Sequence, residues 1–207
     1  MRFIYCLLVV ILLACTSDLN PQTVVAIQPL GQYDTELTSI IEKAIKKYYG
    51  VKVTVLKAKP IPKSHFVNVK SPRYRADSII HYLKETRPAS ADYVLGFTDV
   101  DVSVTKTDDF GRIKEPIERY KDWGVMGLAY LSGRSCVVST FRLRSNAKLL
   151  NERVTKVTLH ELGHMLGLPH CENKKCFMTD AVESIKTIDN TRLDLCEACK
   201  KKIGMLK

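Results

Sequence analysis

Residues 158–178 read TLHELGHMLGLPHCENKKCFM, three histidines, two glutamates, two cysteines and two methionines in one short run. On an α-helix, side chains four apart stand one turn apart on the same face, so His160 and His164 can present both imidazoles to one metal ion. Glu161 is rotated by about 100° from His160 and stands beside that pair without being a ligand itself. Leu159, Leu162 and Leu166 recur at i, i+3 and i+7, so the helix is expected to bury that side in the core while its histidine face lines a cleft. Gly167 ends the helix, since glycine accepts the left-handed conformation. Pro169 fixes the turn, and His170 swings back as the third ligand.

A zinc ion held by three protein nitrogens keeps one position open, lowers the pKa of a water there and polarises a carbonyl. Glu161 is then the expected general base, taking the water's proton and passing it to a leaving amine. The reaction read from these residues is hydrolysis of a peptide bond.

HELGHMLGLPH, residues 160–170, resembles the zinc-binding motif of the metzincin metallopeptidases. Met178 falls where the resemblance implies a Met-turn methionine, packed beneath the three histidines as a hydrophobic floor. Cys171 follows His170 directly, Cys176 lies five residues on, and Cys196 and Cys199 form a CEAC pair. That arrangement resembles the archaemetzincins, which combine the catalytic zinc with a second, four-cysteine zinc site. The resemblance implies a metzincin-like mixed twisted sheet with packed helices, a peptide or protein substrate and two zinc ions. It also implies that one of the strand candidates at 123–131 and 134–140 is an edge along which an extended peptide lies.

Two close cysteine pairs suit a closed tetrahedral site with no room for water, a structural zinc that staples residues 171–207 behind the catalytic helix. In an oxidising compartment the same four thiols could form two disulfides instead.

Outside this segment the 207 residues, 45% hydrophobic and 26% charged, have the makeup of one ordinary globular domain. The class expected is α/β or α+β, because strand-like and helix-like runs alternate from Thr23 onward. TVVAIQPL (23–30) reads as a strand. DTELTSIIEKAIKKYYG (34–50) reads as a helix capped by Asp34 and stopped by Gly50, with Leu37, Ile40, Ile41, Ala44, Ile45 and Tyr48 on its core face. VKVTVLK (51–57) alternates as a strand, and KPIPK (59–63) breaks it. RYRADSIIHYLKETRP (73–88) reads as a second amphipathic helix and YVLGFTDVDVSV (93–104) as an apolar strand. WGVMGLAYLS and RSCVVSTFRL flank Gly133 as neighbouring strands, and the catalytic helix is expected to start near Asn146 or Asn151.

The N-terminus, MRFIYCLLVVILLAC, places Arg2 before an apolar run that ends at Cys15. This is the layout of a secretory signal peptide over residues 1–14. LLAC resembles a bacterial lipobox, which implies that Cys15 is lipidated and that residues 15–22 tether a domain spanning 23–207. The expected location is the cell envelope, exported and membrane-anchored, in the outer membrane where the host has one. The metzincin resemblance does not itself imply an export signal.

A formal charge of +10 favours anionic partners in principle. No aromatic or arginine-rich stripe surrounds Cys171–Cys199, so no nucleic acid is expected. A binding or scaffolding lipoprotein that keeps the zinc architecture without turnover is the alternative function; the presence of Glu161 beside three ligands weighs against it. Cys136 reads as a small buried strand residue, and His65 and His81 have no ligand-spaced partners.

Overall fold

The structure, a computed structural model, describes residues 19–180 and 184–206. The signal-peptide and lipidation readings, Cys15 included, lie outside the described residues. At Leu19 the chain is already in contact with the domain: its N–H donates to the Ile203 carbonyl (3.2 Å) and its side chain packs on the core.

A five-stranded sheet forms the centre. Its strands are β1 (Val24–Pro29), β2 (Lys52–Val55), β5 (Tyr93–Thr98), β8 (Gly127–Ala129) and β9 (Ser135–Ser139), in the order β2-β1-β5-β9-β8. β2, β1, β5 and β9 are mutually parallel, and only β8 runs antiparallel. Period-two alternation sends Val25, Ile27, Leu95, Phe97, Cys136 and Val138 to one face, and Ala26, Val94 and Val137 to the other. The first face is covered by α1 (Thr35–Tyr49) and α4 (Leu150–Met165), the second by α2 (Ala76–Glu85). Both faces are buried, which is why the central strands read as continuous apolar runs.

α1 forms as its sequence predicts. Asp34 accepts the Leu37 N–H at 3.0 Å, and Gly50 closes the helix at φ 66° with its N–H on the Lys46 carbonyl. Leu37, Ile41 and Ile45 are buried, while Ile40, Ala44 and Tyr48 are half-buried and Tyr49 goes deeper than Tyr48. Asn146 caps a short 3-10 turn, Ala147–Leu149, that leads into α4 at Leu150.

Three readings of the sequence need correction, and all concern a second sheet that the patterning does not reveal. This sheet has the order β3-β4-β6-β7, from β3 (Phe66–Asn68), β4 (Pro72–Arg75), β6 (Val102–Val104) and β7 (Trp123–Val125). Residues 73–75, read as the start of a helix, belong to β4. The run 93–104 is two strands, because the chain turns at Asp99–Asp101 to satisfy arginines. Asp101 accepts from Arg73 Nε (2.8 Å) and from Arg142 Nε and Nη2 (2.9 Å each), while Asp99 pairs with Arg144 at 2.8 Å. Likewise 123–131 divides at Met126 into β7 and β8. The Arg142 guanidinium lies where a side chain on Gly124 would stand, so β7 is held in the small sheet while β8 turns to pair with β9.

The remaining helices are α3 (Ile117–Tyr120), α5 (Ile185–Asn190) and α6 (Glu197–Lys202). α5 is tied to α4 by an ion pair: buried Arg153, 4% exposed, holds the half-buried Asp189 through two bonds of 2.7 Å and donates to the Leu143 carbonyl. The hydrogen bonds and charge of Arg153 hold the Asp189 carboxyl below its usual range. Its stabilising contribution is therefore complete above the ordinary carboxylate pKa of about 4 and is lost as pH falls through the depressed folded value. Asp189→Asn is expected to cost about 2 kcal/mol at neutral pH by leaving a buried guanidinium short of its partner, and less in acid. Thermal unfolding of both proteins at pH 7 and pH 3 checks this: an undiminished difference at pH 3 would contradict the linkage.

Candidate metal centre and cleft

α4 delivers the first two histidines as its periodicity requires. Nε2 of His160 and Nε2 of His164 stand 3.0 Å apart, against about 3.4 Å for two nitrogens on one tetrahedral zinc. Each ring is aimed by its other nitrogen: His160 Nδ1 donates to the Phe177 carbonyl and His164 Nδ1 to the Leu168 carbonyl, both at 2.7 Å. Such bonds fix the tautomer that leaves Nε2 free for a metal. Burial, helped by the neighbouring His164, pushes His160 down to about 3, and burial lowers His164 as well. Both rings are neutral at physiological pH, the state in which imidazole ligates a metal.

Gly167, at φ 91°, reverses the chain, and its N–H and that of Leu168 close on the carbonyls of His164 and Gly163 at 2.9 Å each. His170 then joins the pair, the three potential ligand atoms lying within 4.8 Å of one another. The Asp180 carboxylate is 3.8 Å from His170 Nδ1.

Met178 is fully buried and packs against α4 at Gly163. A Cβ on Gly163 would come within 2.5 Å of its Sδ and 3.4 Å of the Tyr49 hydroxyl, which itself donates to the Leu159 carbonyl at 2.7 Å. Gly163 thus lets methionine and helix backbone touch. Gly163→Ala is expected to cost about 1–3 kcal/mol through overpacking, readable as a lower midpoint in thermal unfolding; an unchanged midpoint would show that the floor can yield.

The second donor group is Cys171, Cys176, Cys196 and Cys199. Sγ–Sγ separations are 3.6 Å for Cys171–Cys196 and 3.9 Å for Cys176–Cys199. Sulfurs on a tetrahedral zinc lie about 3.8 Å apart, whereas a disulfide holds them at about 2.05 Å. All four are free thiols in a zinc-sized cage, and the disulfide alternative does not describe this structure. The Cys171 N–H donates to the Met178 carbonyl at 2.8 Å, so one loop links the thiol cage, Met178 and His170.

Glu161 is 6% exposed. Its carboxyl, pushed up to about 8 by burial, faces Gly127 on β8, the strand at the edge of the main sheet. A cavity of about 70 Å³ opens beside Glu161 and His160, walled by Val125, Met126, Val157, Phe177 and Ile188, with Lys156 at its margin. The Lys156 ammonium is saturated, donating to the carbonyls of Ile188 (3.0 Å) and Thr191 (2.7 Å) and pairing with Glu152 (2.6 Å).

Sequence reasoning missed Lys156 and Arg153. Their signal was two cations on the helix that carries the histidines, at positions the fold buries. The other readings fall as expected: Cys136 is fully buried in β9, His81 pairs with Glu85, His65 packs near Tyr82, and none of the three joins a donor group.

A helix-borne histidine pair, a third histidine after a glycine turn, a carboxylate beside an edge strand and a thiol cage together define a zinc-dependent metallopeptidase with two zinc sites. The profile described as Peptidase family M54 matches residues 22–205, and the chain belongs to that family, the archaemetzincins. It is 30% identical over 189 residues to the archaemetzincin of Halobacterium salinarum, covering 86% of this chain and 98% of that one. The crystal structure of archaemetzincin from Archaeoglobus fulgidus, a malonate complex, shares 27% identity with a TM-score of 0.68, over 87% of this chain and all of the other. That from Methanopyrus kandleri shares 26% identity with a TM-score of 0.70, over 90% and 96%. Among the described residues no helix is long and apolar enough to cross a membrane.

Proposed function

We propose that the chain cleaves peptide bonds with Glu161 as general base, that His160, His164 and His170 hold the catalytic zinc, and that Cys171, Cys176, Cys196 and Cys199 hold the structural one. When bound, the catalytic zinc supplies a Lewis acid for the scissile carbonyl and for the attacking water. Glu161 accepts the water's proton at its carboxylate and delivers it to the departing amine, so one group serves both halves of the reaction. Met178 supports the histidines by packing alone. The unpaired edge of β8 offers backbone groups to an extended substrate, and the apolar cavity beside Glu161 takes a side chain next to the cut bond.

The observation that supports this reading is the buried Glu161 carboxyl, close against Gly127 of the edge strand β8 and lining one cavity with His160. Its test is mass-spectrometric detection of products from a diverse peptide mixture, using zinc-loaded residues 22–207 beside the Glu161→Ala form. Cuts made only by the parent protein support the reading; identical cuts by the variant assign them to a contaminant.

The N-terminal sequence supports an exported, lipid-anchored protein, with residues 1–14 removed, Cys15 acylated and residues 15–22 as the connection to a catalytic domain over 23–207. Metabolic labelling with a radioactive fatty acid that is lost in Cys15→Ser tests this; an unlabelled parent protein rejects it.

A further inference from the structure

Gly127 is a glycine whose backbone does not require one. In β8 it pairs with Val138 of β9, and its φ lies outside the left-handed region. What excludes a side chain is contact. A Cβ there would stand 2.5 Å from Oε1, 2.7 Å from Cγ and 2.8 Å from Cδ of Glu161. Turning the carboxylate about its last bond would relieve the oxygen but not Cγ, so the whole side chain would have to swing. Glu161 is 6% exposed and borders the cavity it shares with His160, so such a swing would carry its carboxyl away from β8 and into that cavity. Gly127 is one wall of the slot that keeps it where it is.

We propose that Gly127 is a positioning residue for the reaction, its missing side chain fixing the Glu161 carboxylate against the backbone of the edge strand. The inference rests on the reading of Glu161 as the base. A peptide added to β8 lies about 4.8 Å from it, so a base in contact with β8 is within one strand spacing of the bond to be cut. Any side chain at 127 widens that interval and turns the carboxylate away.

Zinc-loaded Gly127→Ala is expected to cleave a peptide recovered from the mixed library about 100-fold more slowly, the loss expected for a catalytic group misplaced by about 1 Å. The loss should fall in kcat rather than KM, with two zinc ions retained. Glu161→Asp, shorter by one methylene, should cost much less in the Gly127→Ala background than in the parent; strictly additive losses would overturn the inference. A crystal structure of Gly127→Ala decides it independently of activity, since a carboxylate within about 0.5 Å of its present place would refute the contact. Should Gly127→Ala fail to fold, recovery of folding on adding Glu161→Ala supports the contact, and failure of the pair refutes it. If neither the parent nor any variant cuts peptides, the peptidase reading fails alone, and the displacement still judges Gly127.

Discussion

Glu161→Gln is expected to slow peptide cleavage by about 10²–10⁴-fold while both zinc ions stay bound. The amide has the shape of the carboxyl it replaces, so the contact with Gly127 and the geometry of His160 and His164 on the same helix are undisturbed. What disappears is the ability to accept a proton. Because the side chain is 6% exposed and burial disfavours its charged form, a neutral amide of the same shape should leave the unfolding midpoint equal or higher. Lost activity with undiminished stability separates a catalytic from a structural role. The checks are cleavage rates on one peptide, zinc content and thermal unfolding; full activity in the zinc-loaded variant would remove Glu161 from the mechanism.

The second large effect is expected at Cys176, 1% exposed and inside the thiol cage. Cys176→Ser leaves three thiolates without the fourth corner of their tetrahedron, and a structural zinc contributes on the order of 10 kcal/mol to folding. Residues 171–180 and 184–206, built mainly of short turns and the two brief helices α5 and α6, have little core of their own to replace it. Zinc content should fall by at least one ion per chain and the unfolding midpoint by more than about 10 °C. Activity should fall too, because Cys171 is bonded in sequence to His170 and through its N–H to the Met178 carbonyl. Cys136→Ser, buried in β9 away from the cage, should leave the zinc content unchanged. Two zinc ions and an unaltered midpoint in Cys176→Ser would show that the cage does not hold this region together.

The candidate site was legible because its determinants are local. The spacing of His160, His164, Gly167 and His170, and the two close cysteine pairs, are properties of single turns and loops, and the structure brings each set together within 4.8 Å. The main sheet was legible for a related reason, since α1 announces both its ends through Asp34 and Gly50. The small sheet was not. Its strands are short, and the bends that create it depend on Arg73, Arg142 and Arg144 meeting Asp101 and Asp99 from distant parts of the chain. No periodicity reports such pairings. Gly127 was invisible likewise: its neighbours show only that β8 is extended, and the reason for a glycine lies on another element.

β8 is the one strand of the main sheet whose direction is reversed. A peptide laid antiparallel along its free edge therefore travels the same way as β9, β5, β1 and β2, continuing the prevailing polarity of the sheet. That geometry gives the cleft a reading direction. The side chain reaching the cavity beside Glu161 then always comes from the same side of the bond being cut, so a peptide and its reversed sequence are different substrates.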